Sequence, residues 1–169
     1  GSSSTISNVA PSITATIPSS GDEGEELSFS SSHTDPGADD THSYSWDFGD
    51  GNSASGSDAL HTYIDNGTYT ACATVTDNDG DSDTACSDVV ISNVAPVLVE
   101  IEDQFMDEDT ELEVALSTSD AGSCDELIIT AGYTILGGRD LSLVIGQEEG
   151  MLILDPAENW NGQAEVTVI

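Results

Sequence analysis

The sequence predicts an all-β chain built as two β-sandwich modules in tandem, and three observations carry that prediction. Tyr69, Ala71, Ala73 and Val75 alternate with Thr70, Cys72, Thr74 and Thr76, the period-two pattern of a strand with one face on a core and the other in water. Residues that turns demand, such as Gly51-Asn52, Asn66-Gly67 and Asn78-Asp79-Gly80, recur between such runs, and no helical period of useful length appears. Finally, Ile6-Ser7-Asn8-Val9-Ala10-Pro11 returns 85 residues later as Ile91-Ser92-Asn93-Val94-Ala95-Pro96. A chain of 169 residues thus accommodates two modules that begin alike.

Taken in order, residues 1–93 form the first module and 94–169 the second. Strands are expected near 12–17, 27–31, 43–48, 60–63, 67–76 and 83–92. Gly21-Asp22 and Pro36-Gly37 supply the remaining turns of that series. Each module opens on Asn-Val-Ala-Pro, where the proline lacks an N–H and so ends one ladder before an extended strand begins.

Within the first module Trp46-Asp47-Phe48-Gly49-Asp50-Gly51 is followed by His61-Thr62-Tyr63, Gly67-Thr68-Tyr69-Thr70 and Val75-Thr76-Asp77-Asn78-Asp79-Gly80. That order resembles the PKD (polycystic kidney disease) family of immunoglobulin-like β-sandwich modules, over roughly residues 9–92. Trp46 and Tyr69 are read as core residues, with Trp46 the central filler of the sandwich. In the second module Leu152-Ile153-Leu154-Asp155-Pro156 and Asn159-Trp160-Asn161-Gly162-Gln163-Ala164-Glu165-Val166-Thr167-Val168 resemble the bacterial cadherin-like repeats of giant surface proteins. Setting Asn161-Gly162 on Asn66-Gly67 brings Ile169 onto Thr74, so the second sandwich is expected to lack its final strand. Either the natural chain continues, or a neighbouring molecule donates the strand.

Charge is the most informative total. Thirty-three Asp and Glu face one cationic side chain, Arg139, for a formal charge of −32. Phosphate neutralisation requires Lys and Arg, so nucleic acid is excluded as a partner, and an anionic membrane surface likewise. The mutual repulsion must be offset by salt or by bound cations, unless the charge serves solubility alone. No apolar run is long enough to span a bilayer, and Gly1-Ser2-Ser3-Ser4 is not a secretory signal. Cys72 and Cys86 lie symmetrically about Asp79. In a hairpin turning there they would face each other, giving a disulfide and with it an oxidising, extracellular or cell-surface setting; otherwise they are two unlinked small residues on a solvated face. Cys124 has no evident intrachain partner.

Oxygen ligands without His or Cys suit a hard cation, and calcium takes six to eight of them. The topology is expected to gather Asn8, Asp35 and Asp77 at one pole, with Asp79 and Asp81 beside them and Asp39, Asp40 and Asp83 nearby. This pole is the candidate calcium site; the alternative is plain turn chemistry with solvated acids. The PKD and cadherin-like resemblance implies the same, because calcium stiffens linkers in those modules. Asn93 and Asp120, with Asp103, Glu108 and Asp109 in reserve, make a second candidate. Asp77 to Asp83 imitates the start of an EF-hand loop, but no helix flanks it and Asp88 stands where that loop needs Glu. Asp47 and Asp50 are read as turn-holding residues, His61 as a core-edge hydrogen-bonding group, and Trp160 as a candidate for stacking on sugar. No zinc spacing, nucleophile elbow or phosphate loop occurs.

The expected function is therefore a non-catalytic extracellular spacer or adhesive building block, stiffened by calcium and partnered by neighbouring modules, copies of the chain, a surface protein or a polysaccharide. A self-polymerising filament subunit and a carbohydrate-binding accessory module of a secreted hydrolase are the alternatives.

Overall fold

A computed structural model describes residues 7–37, 39–107, 109–122, 128–137, 144–148, 151–156, 158 and 162–169. The chain divides into two compact units, Gly1–Val94 with Ala121–Cys124, and Ala95–Asp120 with Asp125–Ile169. Every element among the described residues is a strand, and no helix there is long and apolar enough to cross a membrane.

The first unit contains β1 (Ser12–Thr16), β2 (Ser20–Asp22), β3 (Glu26–Thr34), β4 (His42–Asp47), β5 (Ser53–Ser55), β6 (Asp58–Thr62), β7 (Gly67–Asp77) and β8 (Ser82–Ser92). They make a three-stranded sheet in the order β1-β3-β6 and a five-stranded sheet in the order β2-β8-β7-β4-β5. Alternation decides which face is which. On β3, Leu27 and Phe29 turn inward while Ser28 stays exposed, and on β7 Ala71, Ala73 and Val75 are buried while Cys72, Thr74 and Thr76 between and after them are less so. Ile13, Leu27 and Phe29 from one sheet meet Trp46, Ala73, Val75 and Val89 from the other in a single cluster. Phe29 lies edge-on to Trp46 at 5.6 Å and to Phe48 at 5.1 Å, the separations aromatic quadrupoles prefer. The small Ala71 and Ala73 on the facing strand leave room for the indole.

The β7–β8 hairpin is the longest ladder, running in register from Gly67↔Ile91 to Thr76↔Ser82. Its register places Cys72 opposite Cys86, and the two are joined as a disulfide with Cα atoms 4.1 Å apart. Two residue pairs along the ladder, the Thr74 and Thr84 hydroxyls hydrogen-bond at 2.8 Å.

The sequence reading differs from the structure in three places. Gly21-Asp22, expected as a turn, belongs to β2, which pairs in parallel with β8 from Ser20↔Val90 to Asp22↔Ser92; the turn follows at Glu23-Gly24, where Gly24 takes φ +76°. The edge strand β5 was not foreseen, because three residues are too few to display alternation. Strand β3 continues through Thr34, pairing with β1 along a hydroxyl-rich stretch that has no apolar period.

The second unit contains β9 (Val97–Leu98), β10 (Leu112–Ala115), β11 (Thr118–Ser119), β12 (Ala131–Gly137), β13 (Val144–Glu148), β14 (Met151–Asp155) and β15 (Gln163–Val168). They form sheets in the orders β10-β14-β13, β11-β9 and β12-β15. Val114, Leu152 and Leu154 are buried together, with Ile101, Met106 and Val166 partly buried against them. The β12–β15 pairing extends one residue further, since Thr130 and Ile169 exchange both main-chain hydrogen bonds at 2.8 Å.

Candidate functional site

Asp77 ends β7, and the local sequence explains its setting. The turn Asn78-Asp79-Gly80 needs a left-handed residue, which Gly80 provides at φ +96°. This aims three successive N–H groups at one oxygen: Asp77 Oδ1 accepts from Asp79 at 2.9 Å, Gly80 at 2.8 Å and Asp81 at 2.9 Å. Asp77 Oδ2 accepts from Asn8 Nδ2 at 2.8 Å, and the same amide donates to Asp81 Oδ2 at 2.9 Å. The residue is 6 % exposed. The Asn8 hydrogen bond, aided by the three turn amides and opposed by burial, holds the Asp77 carboxyl below the usual carboxylate range.

Asp35 is satisfied separately. Its Oδ1 accepts the Gly37 N–H at 2.8 Å and its Oδ2 accepts from His42 Nε2 at 2.7 Å, contacts that lower its pKa, the Gly37 amide most. His42 in turn lies 3.9 Å from the His33 ring, and His33 Nδ1 hydrogen-bonds the Tyr44 hydroxyl. Asp40 goes the other way: burial first, and then the charges of Asp35, Asp79 and Asp77, push its pKa up. Those four carboxylates therefore share one electrostatic field.

Among the described residues, no three His, Cys, Asp or Glu side chains form a ready-made metal cage. What converges is a pair of carboxylate oxygens, from Asp77 and Asp81, with the partly positive NH₂ of Asn8 between them. The donor set is all oxygen once that amide is turned, and Asp79, Asp81 and Asn8 are exposed, so the residues fit a hard cation that keeps several waters. Of the second candidate set, Asn93, Asp103 and Asp109 are exposed, and Glu108 lies outside the described residues. Asp120 has both side-chain oxygens buried without a hydrogen-bond partner, a state that a cation relieves.

The other end of β4 carries a glycine turn of a different kind. A side chain at Gly49, φ +82°, would put Cβ 2.6 Å from the Thr70 carbonyl oxygen, so only glycine fits. Asp47 Oδ1 accepts the Gly49 N–H at 3.0 Å. Asp50 accepts the main-chain N–H of Asn52 at 3.0 Å, its side-chain amide at 2.9 Å and His61 Nε2 at 2.8 Å. Burial raises the Asp50 pKa, but the Asn52 and His61 hydrogen bonds outweigh it and the net shift is downward. His61 stacks on Phe48 at 4.1 Å, and the Tyr63 hydroxyl donates to the Phe48 carbonyl at 3.0 Å. Trp46 is buried and donates its indole N–H to the Gly56 carbonyl at 3.1 Å.

Sequence reasoning missed the roles of His33 and His42, which sit on different strands with no local spacing to link them. The available signal was that all three histidines fall in a chain with a single other basic side chain. Trp160 and Cys124 lie outside the described residues.

A two-sheet β-module, with a disulfide across its longest hairpin and hydrogen-bonded aspartates in the turns at its ends, is the class these features define. Residues 8–91 match the family model described as the PKD domain. A microbial collagenase of Vibrio alginolyticus is 41% identical over 88 residues, which are 52% of this chain and 11% of that protein. Among solved structures, the PKD1 domain of Vibrio anguillarum Epp is 28% identical, with a TM-score of 0.43, and the match covers 50% of this chain and 96% of that one. The PKD1 domain from the Vibrio cholerae metalloprotease PrtV is 31% identical with a TM-score of 0.36, covering 49% and 98%.

Proposed function

We propose that this chain is a non-catalytic spacer of a larger extracellular protein, stiffened by calcium where the acid-rich turn meets the entering segment. It would act as a tandem pair of immunoglobulin-like modules, a PKD domain at 1–93 and a cadherin-like one at 94–169. The observation that carries the reading is the Asn8 amide held between Asp77 and Asp81, 69 and 73 residues away in sequence. Calcium there would tie the linker to the β7–β8 turn and neutralise carboxylates that the chain has almost no basic residues to balance. The Cys72–Cys86 disulfide supports an oxidising, extracellular location.

A second reading is favoured by one observation, the 41% identity to a collagenase segment: the spacer belongs to a secreted hydrolase, holding its catalytic part against a polymeric substrate. Both readings make the chain itself inert as a catalyst. Chelation is expected to lower the melting temperature and to broaden the small-angle scattering profile as the linker loosens. Unchanged melting and scattering with chelator would remove calcium from the account. Glycan and collagen binding by the isolated chain would separate the second reading from an adhesin or fibre.

A further inference from the structure

Two of the three histidines come from different sheets and meet ring against ring. His33 lies on β3 and His42 opens β4, opposite Asp77. Their ring centroids are 3.9 Å apart, with the planes inclined by 34°. Each ring is pinned through one nitrogen only: His42 Nε2 donates to Asp35 Oδ2 at 2.7 Å, and His33 Nδ1 is hydrogen-bonded to the Tyr44 hydroxyl. Asp35 is fixed in turn, its side chain 3 % exposed and its other oxygen accepting the Gly37 N–H.

A metal-binding imidazole is held in this way, because a partner on one nitrogen sets the tautomer and aims the lone pair of the other. With its Nε2 proton committed to Asp35, His42 has a bare lone pair on Nδ1. The Tyr44 hydroxyl accepts as well as donates, so His33 Nδ1 can carry the proton and leave Nε2 bare. Those two nitrogens take no hydrogen bond from the described residues. Nor are they sealed in: the described side-chain atoms that are buried without a partner belong to Glu23 and Asp120 alone. Both nitrogens therefore open to solvent. Around them Asp35, Asp40, Asp77 and Asp79 share one negative field, which draws cations. Calcium prefers oxygen, whereas imidazole nitrogen suits zinc, copper and nickel.

We propose that His33 Nε2 and His42 Nδ1 bind one divalent transition-metal ion of the zinc class, with water filling the remaining positions and with Asp35 and Tyr44 orienting the two rings. Two protein ligands make an open site, in keeping with the lack of a three-residue cage among the described residues. Because β3 and β4 belong to different sheets, the ion staples the two layers together. The site uses other atoms and another metal than the Asn8–Asp77–Asp81 cluster, and it does not depend on the calcium reading.

The test is a zinc titration of the intact chain at about pH 8, where imidazole is neutral, in saturating calcium so that carboxylate sites are already filled. Binding is read by calorimetry and by the histidine ring-proton signals in nuclear magnetic resonance. In the parent, the His33 and His42 signals should move together and saturate at one equivalent of zinc, while those of His61, bonded to Asp50, stay in place. Asp35→Asn, which alters only an orienting group, should weaken zinc binding about ten- to hundredfold. His33→Gln and His42→Gln should each weaken it by at least as much, and His61→Gln should bind as the parent does. Ring signals that stay in place, or that move for only one of the two histidines, overturn the proposal in the parent with no variant involved. Undiminished binding in either His33→Gln or His42→Gln overturns it too, assigning the ion to carboxylates. A chain that ignores calcium yet takes zinc on these two rings leaves this proposal standing without the calcium reading; the converse removes this one alone.

Discussion

Asp50 and Asp77 sit at glycine turns at opposite ends of the β4–β7 ladder, which runs from His42↔Asp77 to Asp47↔Cys72, yet their oxygens are satisfied by different means. At Asp50 every donor comes from within the fold: two from Asn52 and one from His61, itself pressed against Phe48. At Asp77 the turn supplies three N–H groups, but the remaining oxygen depends on Asn8 at the very start of the module, alongside a second carboxylate. The first turn is a closed structural lock. The second is held by a neutral amide where two negative charges meet, and so leaves a cation something to improve.

The largest test of that contrast is Phe48→Ala. It removes the ring that stacks on His61 and meets Phe29, and should cost about 3–5 kcal/mol in urea denaturation, by the same amount with calcium or with chelator. A calcium-dependent cost would dissolve the distinction between the two turns. Next comes calcium itself: at a hundredfold excess over Kd the ion should stabilise the parent by about 2.7 kcal/mol, and Asp77→Asn should lose the greater part of that gain. Tyr63→Phe leaves the buried Phe48 carbonyl without its donor and should cost about 1–2 kcal/mol, again without calcium dependence.

Tyr63 also sets an alkaline limit. Burial, and then the nearby Asp50 and Tyr69, push its pKa from 10.0 up to about 12. A group with a raised folded pKa contributes stability that is complete below its unfolded value, so stability should decline from about pH 10 to 12. Tyr63→Phe should flatten that decline in pH-dependent melting. The smallest effect is expected at Asp40, whose pKa is raised by burial and by Asp35, Asp79 and Asp77. Above the carboxylate range its charge opposes folding, so Asp40→Asn should raise the melting temperature slightly in chelator and less in calcium. A gain of equal size in both would mean that no cation screens that group.

How much was legible depended on the range over which the signal acts. The alternation from Tyr69 to Thr76 and the turn at Asn78-Asp79-Gly80 are local, and together they placed the hairpin and the Cys72–Cys86 pair, since a two-stranded register follows once the turn is known. β2 escaped because its pairing with β8 is parallel and spans 70 residues, and a three-residue strand carries no period. The Asp35–His42 and Asp50–His61 pairs escaped for the same reason: each joins separate elements, and nothing in the local spacing marks either histidine as a carboxylate partner.

The most direct measurement follows the main-chain amide signals of Asp79, Gly80 and Asp81, the three donors to Asp77, during a calcium titration of the intact chain by nuclear magnetic resonance. A cation between Asn8, Asp77 and Asp81 predicts saturable shifts at these three amides and at the Asn8 side-chain amide, abolished in Asp77→Asn. Amides that stay in place while calcium rises to millimolar concentration would contradict it, leaving the turn as closed a lock as the one at Asp50.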